Sequence, residues 1–430
     1  MKRYKGDIIN EGIVVGKIIL FNNNRFSEEY NNTSLKDVIL ATVDITPIDI
    51  LHLDENLPTG LVMTMGTVNS HSSILLRNHM VVAISNIPVK KDWNGKIGII
   101  DAYSGYVIIS PDPETLNFYL RKKKVLEEEE RANLEKYQNR EATTLDGKRI
   151  QVYANISEPQ GIMSLIKNSD GIGIFKTEFF YMKKTSFPTE EEQFLMYKDM
   201  VTAMQKKRTI IRTVDIGVDK KPDYFNLLPE PNPALGYRGI RISLKEKRMF
   251  LTQLRAILRA SAYGKVSIMY PMIVSVEEVR LAKKLLEEAK KELRLNGITF
   301  NSNIEQGIMI ETPAAVMISK ELANEVDFFS IGTNDLIQYI LVADRQNSYV
   351  RELLNPYHRG VIRSIQEIVK NAHSAGIWVE ASGELSADSD YANLLISIGI
   401  DALAVAPTKI LKVKKIVCEF SSAQTMYVEE

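Results

Sequence analysis

The chain has 430 residues, of which 45% are hydrophobic and 25% charged, and this excludes a mainly disordered protein and leaves room for two or three domains. Lys and Arg number 54 and Asp and Glu also number 54, so no net charge favours nucleic acid or an anionic membrane surface as partner. Apolar runs are too short for a membrane-spanning helix, the N-terminus lacks the apolar core of a secretory signal, and the single cysteine excludes an internal disulfide, so we expect a soluble, cytoplasmic protein.

The first part of the chain predicts a small, mostly β domain. Short β-rich runs are separated by Gly, Asn, Asp and Pro, and one helix is expected to begin near Ser70. The segment from Arg121 to Glu141 is rich in charged helix formers and has no Gly or Pro, which predicts an exposed connecting helix. We therefore expect a first domain over residues 1–115, a linker helix over 116–142 and a second domain over 143–430.

The second domain alternates short strand-like runs with longer amphipathic ones, a pattern typical of βα units and a parallel sheet. The predicted strands are RIQVYANI (149–156), GIGIF (171–175), TIIRTVDI (209–216), SIMYPMI (267–273), GIMIET (307–312), DFFSIG (327–332), IWVEAS (377–382) and ALAVAP (402–407). Eight strands in about 280 residues predict an α/β fold of the (β/α)₈ TIM barrel type, with a doubly wound open sheet as the alternative.

Polar residues at the ends of these strands predict the site, because a (β/α)₈ barrel builds its active site where strands end and loops begin. Glu311 and Asp335 are hard oxygen donors, suited to Mg²⁺ that also bridges to a phosphate or carboxylate of a ligand. Four cations would hold that anion: Lys176, Arg212, Arg238 and Arg345. Each charged residue alone is better explained as solvated or ion-paired, but the whole set favours a metal-assisted phosphate or carboxylate site.

The first domain carries a separate signal in GTVNSHSSILLR, from Gly66 to Arg77. His71 precedes an apolar, helix-like run, so its ring is expected at a helix N-terminus, where free N–H groups and the dipole favour an anion. A neutral imidazole is a nucleophile, so this placement suits a phosphorylated histidine. Taken alone, the motif would favour a histidine with only a structural role.

These motifs, in this order, resemble the phosphoenolpyruvate-utilising enzymes, and most closely Enzyme I of the bacterial sugar phosphotransferase system. The resemblance is strongest in DGIGIFKTEFFYM, PTEEEQ, IIRTVDIGVDK, NPALGYRGIR, QLRAILRAS, GIMIETPAAVMI and EVDFFSIGTNDLIQY. It implies a swivelling β/β/α phosphohistidine domain before a phosphoenolpyruvate-binding barrel that dimerises. It further implies that His71 takes the phosphoryl group, that Glu311 and Asp335 hold Mg²⁺, and that the substrate is bound by Arg212, Arg238, Asn334 and Arg345.

Four departures from this family change the expected chemistry. Only 17 residues, FNNNRFSEEYNNTSLKD, stand where Enzyme I inserts the helical domain that docks its carrier protein. Ser382 replaces the cysteine that protonates enolpyruvate, and a hydroxyl is a poor general acid beside a thiol. Lys176 replaces an arginine, which keeps the charge but loses the fork geometry, and Asn69 replaces the threonine near His71.

Three functions therefore stay open at this point. The leading one is a phosphoenolpyruvate-dependent phosphotransferase that phosphorylates His71 and passes the group to a non-standard acceptor, either a small molecule or a protein. A second is a biosynthetic enzyme that uses phosphoenolpyruvate or enolpyruvate as a building block, which the serine at position 382 suggests. The third is a regulatory protein that binds phosphoenolpyruvate without turnover.

Overall fold

The computed structural model describes residues 1–21, 37–45, 58–66, 72, 76, 81–157, 167–217, 222–345, 347, 349–350 and 353–422, apart from the side chain of Glu130. These residues form two compact units. The first comprises Met1–Asn133 and Arg345–Glu352, and the second comprises Leu134–Asp344 and Leu353–Glu430. His71 lies outside the described residues, so the site expected around it stays a prediction.

The first unit contains an eight-stranded sheet in the order β1-β8-β7-β3-β4-β5-β6-β2. Its strands are β1 (Lys2–Lys5), β2 (Asp7–Asn10), β3 (Ile13–Leu20), β4 (Val38–Thr42), β5 (Gly60–Met63), β6 (Val82–Ser85), β7 (Ile97–Asp101) and β8 (Tyr106–Ile109). Strands β3 to β6 are parallel to their neighbours within that group, and the remaining pairs are antiparallel. The expected N-terminal β domain is thus confirmed. Strands β1 and β2 were not predicted, because they are short and polar and the prediction relied on hydrophobic runs.

The second unit contains a closed barrel of eight parallel strands, which confirms the predicted TIM barrel and rules out the open sheet. Its strands are β9 (Gln151–Ile156), β10 (Gly171–Lys176), β11 (Arg208–Arg212), β12 (Val266–Tyr270), β13 (Glu305–Ile310), β14 (Phe328–Gly332), β15 (Trp378–Ser382) and β16 (Ala402–Val405). The closure comes from the pairing of β16 with β9, for example Leu403 with Val152. Near-continuous burial of the strands explains why they are visible in the sequence as apolar runs.

Two predicted strands run three or four residues beyond the ends of the observed ones. Strand β11 ends at Arg212. Beyond it, the Val214 amide donates to the Gln253 side chain at 3.1 Å and not to a neighbouring strand. Asp215 therefore lies in the loop after the strand. Strand β12 ends at Tyr270, directly before Pro271, which has no amide hydrogen to offer a neighbouring strand.

Helices follow the strands as the βα pattern requires. They are α1 (Pro113–Glu135), α2 (Glu178–Met182), α3 (Glu190–Met204), α4 (Ile240–Lys245), α5 (Lys247–Ala260), α6 (Val276–Leu295), α7 (Pro313–Met317), α8 (Ser319–Ala323), α9 (Thr333–Leu341), α10 (Arg359–Ser374), α11 (Ser389–Ile398) and α12 (Ile410–Glu419). Short 3₁₀ helices occupy Lys91–Trp93, Asp223–Phe225, Pro233–Leu235, Glu384–Ala387 and Pro407–Lys409. Among the described residues, none of the helices combines the length and apolar character that crossing a bilayer requires.

The start of α3 shows how local sequence sets an element. Thr189 and Glu192 form a capping box, in which the threonine hydroxyl accepts from the Glu192 amide at 3.2 Å and the glutamate accepts from the Thr189 amide at 2.8 Å. Both residues belong to the motif PTEEEQ. This part of the family resemblance therefore has a structural role, since it begins the helix that packs beside α5.

The inside of the barrel is filled by side chains and is not a channel. An apolar layer contains Ile174, Ile210, Met269, Met309 and Phe328. At the amino ends of the strands, Trp378 stacks on Phe328 with ring centroids 4.7 Å apart. These two rings close the inside of the barrel at the amino ends of the strands, while the expected site residues collect at the carboxyl ends.

Candidate active site

Four of the expected residues lie at the carboxyl ends of the barrel strands. Lys176, Arg212 and Ser382 are the last residues of β10, β11 and β15, and Glu311 directly follows β13. Asp335 lies in the first turn of α9, which begins where β14 ends. Because parallel strands of a closed barrel end on one rim, these positions face one mouth.

The two buried arginines of the mouth are held by carboxylates. Arg212 Nη2 lies 2.5 Å from Glu178 Oε1, and its Nη1 lies 3.1 Å from Asp215 Oδ2. Arg238 Nη2 lies 3.2 Å from the same Asp215 oxygen, and its Nη1 lies 3.5 Å from Asp335 Oδ1. The result is a continuous chain of alternating charges that fixes both guanidinium planes.

Burial by itself would lower the pKa of each guanidinium, but the carboxylates outweigh it. The pKa of Arg212 is raised because Glu178 and Asp215 are close, and that of Arg238 is raised because Asp215 and Asp335 are close. Both arginines are therefore permanently charged at the mouth. Arg238 also donates to the Tyr339 hydroxyl at 3.1 Å.

Glu311 is the most perturbed acid of the mouth. Its side chain is almost fully buried, and Oε1 accepts from the Met272 amide at 2.7 Å. Burial first, and then the negative charges of Asp335 and Asp215, raise the pKa of Glu311 to about 8, against the opposing effect of the two arginines. A carboxyl group in this position is mostly protonated at neutral pH unless additional positive charge reaches it.

The donor set of the mouth fits Mg²⁺. Glu311 lies close to the negative charge of Asp335, so a divalent cation beside these two carboxylates would relieve their repulsion. The described residues contain no group of three or more His, Cys, Asp or Glu side chains arranged to hold a metal. Two carboxylates are what Mg²⁺ commonly takes from a protein, because its other positions go to water and substrate oxygens.

Gly332 allows the loop before α9 to approach Glu311. A Cβ atom at position 332 would lie 2.8 Å from Glu311 Oε2 and 3.0 Å from Met309 Sδ. Real Cβ atoms do not come so close to an oxygen, so a side chain here would push the carboxylate aside. The glycine of the motif SIGTND thus keeps the two acidic residues in one place.

Ser382 is held by hydrogen bonds. Its hydroxyl oxygen accepts from Asn155 Nδ2 at 3.0 Å, and the same amide group donates to the Ala404 carbonyl at 2.9 Å. The carbonyl of Ser382 accepts from the Thr333 hydroxyl at 3.0 Å. The serine hydroxyl is thus fixed at the rim with only 5% of the residue exposed.

The structure brings together some predicted site residues and leaves others apart. Arg212, Arg238, Glu311 and Asp335 form the charged cluster described above. Lys176 is half-buried and stands opposite Arg212 in the pairing of β10 with β11, and Asn334 is exposed in the first turn of α9. Arg345 is half-buried, and its segment is grouped with the first unit, so its role at the mouth stays a prediction.

Near His71, the described residues Ser72 and Leu76 are helical, in agreement with the expected helix. Ser72 is buried, and its hydroxyl donates to the Ile45 carbonyl at 2.7 Å. His71 itself lies outside the described residues. Its placement at a helix N-terminus therefore stays a prediction.

Sequence reasoning assigned no role to Glu178, Asp215 and Asn155. Glu178 and Asp215 could have been identified by asking which acids neutralise two arginines at strand ends, because buried charges are normally paired. Asn155 carries a weaker signal, a polar residue at the inward-facing end of an apolar strand. Its contact with Ser382 joins β9 to β15 across 227 sequence positions, which no local pattern reveals.

Known proteins of similar sequence indicate the same kind of site as the geometry of the mouth. The family model described as "PEP-utilising enzyme, PEP-binding domain" matches residues 131–422. The phosphoenolpyruvate-protein phosphotransferase of Priestia megaterium is 39% identical over 398 residues, covering 91% of this chain and 69% of the relative. The protein of the same name from Haemophilus influenzae is 41% identical over 385 residues, covering 89% and 67%. That from Staphylococcus carnosus is 38% identical over 408 residues, covering 94% and 71%.

Proposed function

The chain belongs to the phosphoenolpyruvate-utilising enzymes, and from this membership we propose that it transfers the phosphoryl group of phosphoenolpyruvate to His71. The observation that carries the proposal is the buried cluster at the barrel mouth, in which Glu311 and Asp335 adjoin the paired Arg212 and Arg238. The name of its relatives, phosphoenolpyruvate-protein phosphotransferase, supports a protein as the next acceptor.

The proposed substrate site uses preorganised charge. Arg212 and Arg238 are already oriented by Asp215, so their remaining N–H groups can meet the phosphate and carboxylate without reorganisation. Lys176, Asn334 and Arg345 would complete the contacts. Mg²⁺, held by Glu311 and Asp335, would neutralise charge on the phosphoryl oxygens during transfer.

The proposed step exchanges one bond to phosphorus for another. A neutral His71 imidazole nitrogen attacks phosphorus, a P–N bond forms, and the bond from phosphorus to the enol oxygen breaks with its electron pair going to enolpyruvate. Catalysis then depends on in-line positioning and on charge neutralisation by the mouth residues. Proton delivery to enolpyruvate is a separate, later step.

Labelling with radioactive phosphoenolpyruvate tests the proposal. We expect an acid-labile label on the wild-type protein, no label on His71→Ala, and a loss of at least about 100-fold in labelling rate in Glu311→Gln, because one metal ligand is lost. Chelation of the metal with EDTA should abolish labelling, and added Mg²⁺ should restore it.

The matched control is His373→Ala, which removes a histidine that pairs with Asp401 at 2.8 Å on the outside of the barrel. It should label like the wild-type protein. An unlabelled wild-type protein, or a label that persists in His71→Ala, would show the proposed acceptor to be wrong.

Ser382 is proposed to limit pyruvate formation. Its hydroxyl is bound to Asn155 and is a far weaker acid than a thiol, so enolpyruvate would be protonated slowly or would leave and tautomerise in solution. We predict that Ser382→Cys accelerates pyruvate release by about tenfold or more, measured with a coupled lactate dehydrogenase assay.

The matched control for this substitution is Ser389→Cys, which places a thiol at an exposed position at the start of α11. It should leave the rate of pyruvate release unchanged. Equal rates in Ser382→Cys and the wild-type protein would mean that the serine is not limiting.

The acceptor is proposed to be non-standard, because 17 residues replace the carrier-docking domain of Enzyme I. Incubation of the labelled protein with fractions of a cell extract would identify the species that removes the label. A regulatory role without turnover is the second candidate, favoured by Lys176 and Ser382. Tight binding of phosphoenolpyruvate by calorimetry without phosphohistidine or pyruvate would support it instead.

A further inference from the structure

A cavity lies at the amino ends of the barrel strands, opposite the mouth. It has a volume of about 470 Å³ and is lined at the amino ends of the strands, where Gln151 and Arg208 begin β9 and β11 and Lys265 directly precedes β12. Arg208 and Arg212 mark the two ends of β11, roughly 13 Å apart along the strand. The cavity is therefore separate from the proposed phosphoenolpyruvate site.

The lining of this cavity is strongly basic. Of the fourteen described residues that line it, eight are Lys or Arg and two are acidic, in a chain whose formal charge is zero. Both acidic residues form ion pairs with the same arginine: Arg149 lies 2.9 Å from Glu141 and 3.5 Å from Asp170. Arg208 pairs with Glu305 outside the lining, at 3.0 Å.

The other six basic residues of the lining have no ion pair within 4.0 Å among the described residues. They are Arg140, Lys167, Lys206, Lys207, Lys265 and Lys414. Their concentration in one concave surface creates a local positive potential that the carboxylates of the lining do not cancel. Such a surface attracts a ligand with several negative charges.

Two of these lysines are held in place by the backbone. Lys414 is only 3% exposed and donates to the Arg140 carbonyl at 2.8 Å, and Lys207 donates to the Ser169 carbonyl at 2.7 Å. Burial lowers the pKa of both ammonium groups, and the charge of Lys414 lowers that of Lys207 further. An ammonium group has three hydrogens, so each lysine keeps donors for a ligand.

Arg208 provides a third oriented donor. Its guanidinium lies 4.4 Å from the centre of the Trp378 ring, and its Nε is buried without a hydrogen-bond partner in the described part of the chain. Because this Nε has almost no accessible surface, the donors that Arg208 can offer a ligand are the terminal N–H groups of its guanidinium that do not bind Glu305. Stacking on tryptophan keeps the guanidinium plane fixed at the cavity wall.

We propose that this cavity binds a compact organic or inorganic anion that carries two or more linked phosphoryl groups. The volume lies in the range of small-molecule sites, which suits a ligand of that size. Lysines bind phosphate as point charges from several directions, so the five lysines of this set, with Arg140 and the oriented Arg208, match a multiply charged phosphate better than a single carboxylate. The proposal is independent of the phosphotransferase function, because it uses none of the mouth residues.

Titration calorimetry with tripolyphosphate tests this proposal on the full chain at about 0.15 M salt, where exposed charges are largely screened. We expect saturable binding that weakens by about tenfold or more in Lys207→Gln, since one charge-assisted contact is lost. Orthophosphate should bind more weakly than tripolyphosphate. The matched control Lys291→Gln removes an exposed lysine of α6 and should bind like the wild-type protein.

A second pair of variants distinguishes binding at the basic cavity from binding at the mouth. Arg238→Gln should keep tripolyphosphate binding, and Lys206→Gln, at an exposed position of the cavity wall, should weaken it even if a buried variant fails to fold. Circular dichroism would verify folding of each variant. Absence of binding by the wild-type protein, or binding lost in Arg238→Gln and kept in Lys206→Gln, would overturn the proposal.

Discussion

At the scale of single residues, the mouth of the barrel depends on acids that bind arginines before any substrate arrives. Asp215 touches both Arg212 and Arg238, and Glu178 is completely buried against Arg212. Removing one member would leave a buried charge without its partner, which is far more costly than losing a surface ion pair. The arginines are therefore positioned by the fold and do not need the substrate to order them.

Glu380 gives a residue-scale prediction away from the mouth. This glutamate lies inside the barrel, accepts from the Ser330 hydroxyl at 2.7 Å, and burial raises its pKa to about 8. The folded protein therefore holds a proton on Glu380 that the unfolded chain releases above its ordinary pKa of 4.5. The free energy of unfolding should fall as the pH rises from about 5 to 8, by on the order of a few kcal/mol.

We predict that Glu380→Gln, which mimics the protonated acid, removes this part of the pH dependence. Urea unfolding at pH 5.5, 7 and 8.5 would measure it, with Glu367→Gln on the exposed face of α10 as the control. If Glu380→Gln and the wild-type protein lost stability equally as the pH rises, the buried carboxyl group would not be the source.

At the scale of elements, the site is built from strand ends that pass directly into tight turns. Gly383 follows β15 with φ of 150°, and a Cβ there would lie 2.1 Å from the Thr333 hydroxyl oxygen and 3.4 Å from Asn334 Oδ1. The same hydroxyl supports the Ser382 carbonyl. The turn after β15 and the start of α9 thus fit together only without a side chain at this position.

We predict that Gly383→Ala lowers the free energy of unfolding by roughly 1–3 kcal/mol and also reduces phosphoenolpyruvate binding, because it displaces the segment that carries Asn334 and Asp335. The matched control is Gly376→Ala, which also has positive φ, 76°, but has no atom within 4 Å of the added Cβ. Gly376→Ala should lower the free energy of unfolding without changing phosphoenolpyruvate binding. Equal binding in the two variants would contradict the role given to Gly383.

At the scale of the whole molecule, the two units have separate cores. The first packs Leu40, Leu61 and Met63 against one face of its sheet, while the second surrounds the barrel strands with the buried faces of its helices. Each core is formed by residues of its own unit. A chain of this kind need not unfold in one cooperative step.

We predict two transitions in calorimetry of His71→Ala, of which only one rises when phosphoenolpyruvate and Mg²⁺ are added. Ligand at about 100 times its Kd should stabilise the barrel by about 2.7 kcal/mol, because it binds only the folded form. Use of His71→Ala prevents turnover during the scan. A single transition that moves as a whole would show that the units unfold together.

The sequence by itself determined the eight barrel strands, because each is a short buried run bounded by turn residues. It also predicted one site for Glu311, Asp335 and Arg212, which follow or end strands, and for Arg238, which lies in a loop. It did not determine which acid holds which arginine, since Glu178 and Arg212 are 34 positions apart and meet only when β10 pairs with β11. The basic cavity likewise joins residues from Asn139 to Lys414. Periodicity reports which side of an element is buried, whereas the pairing of distant charges exists only after the barrel has closed.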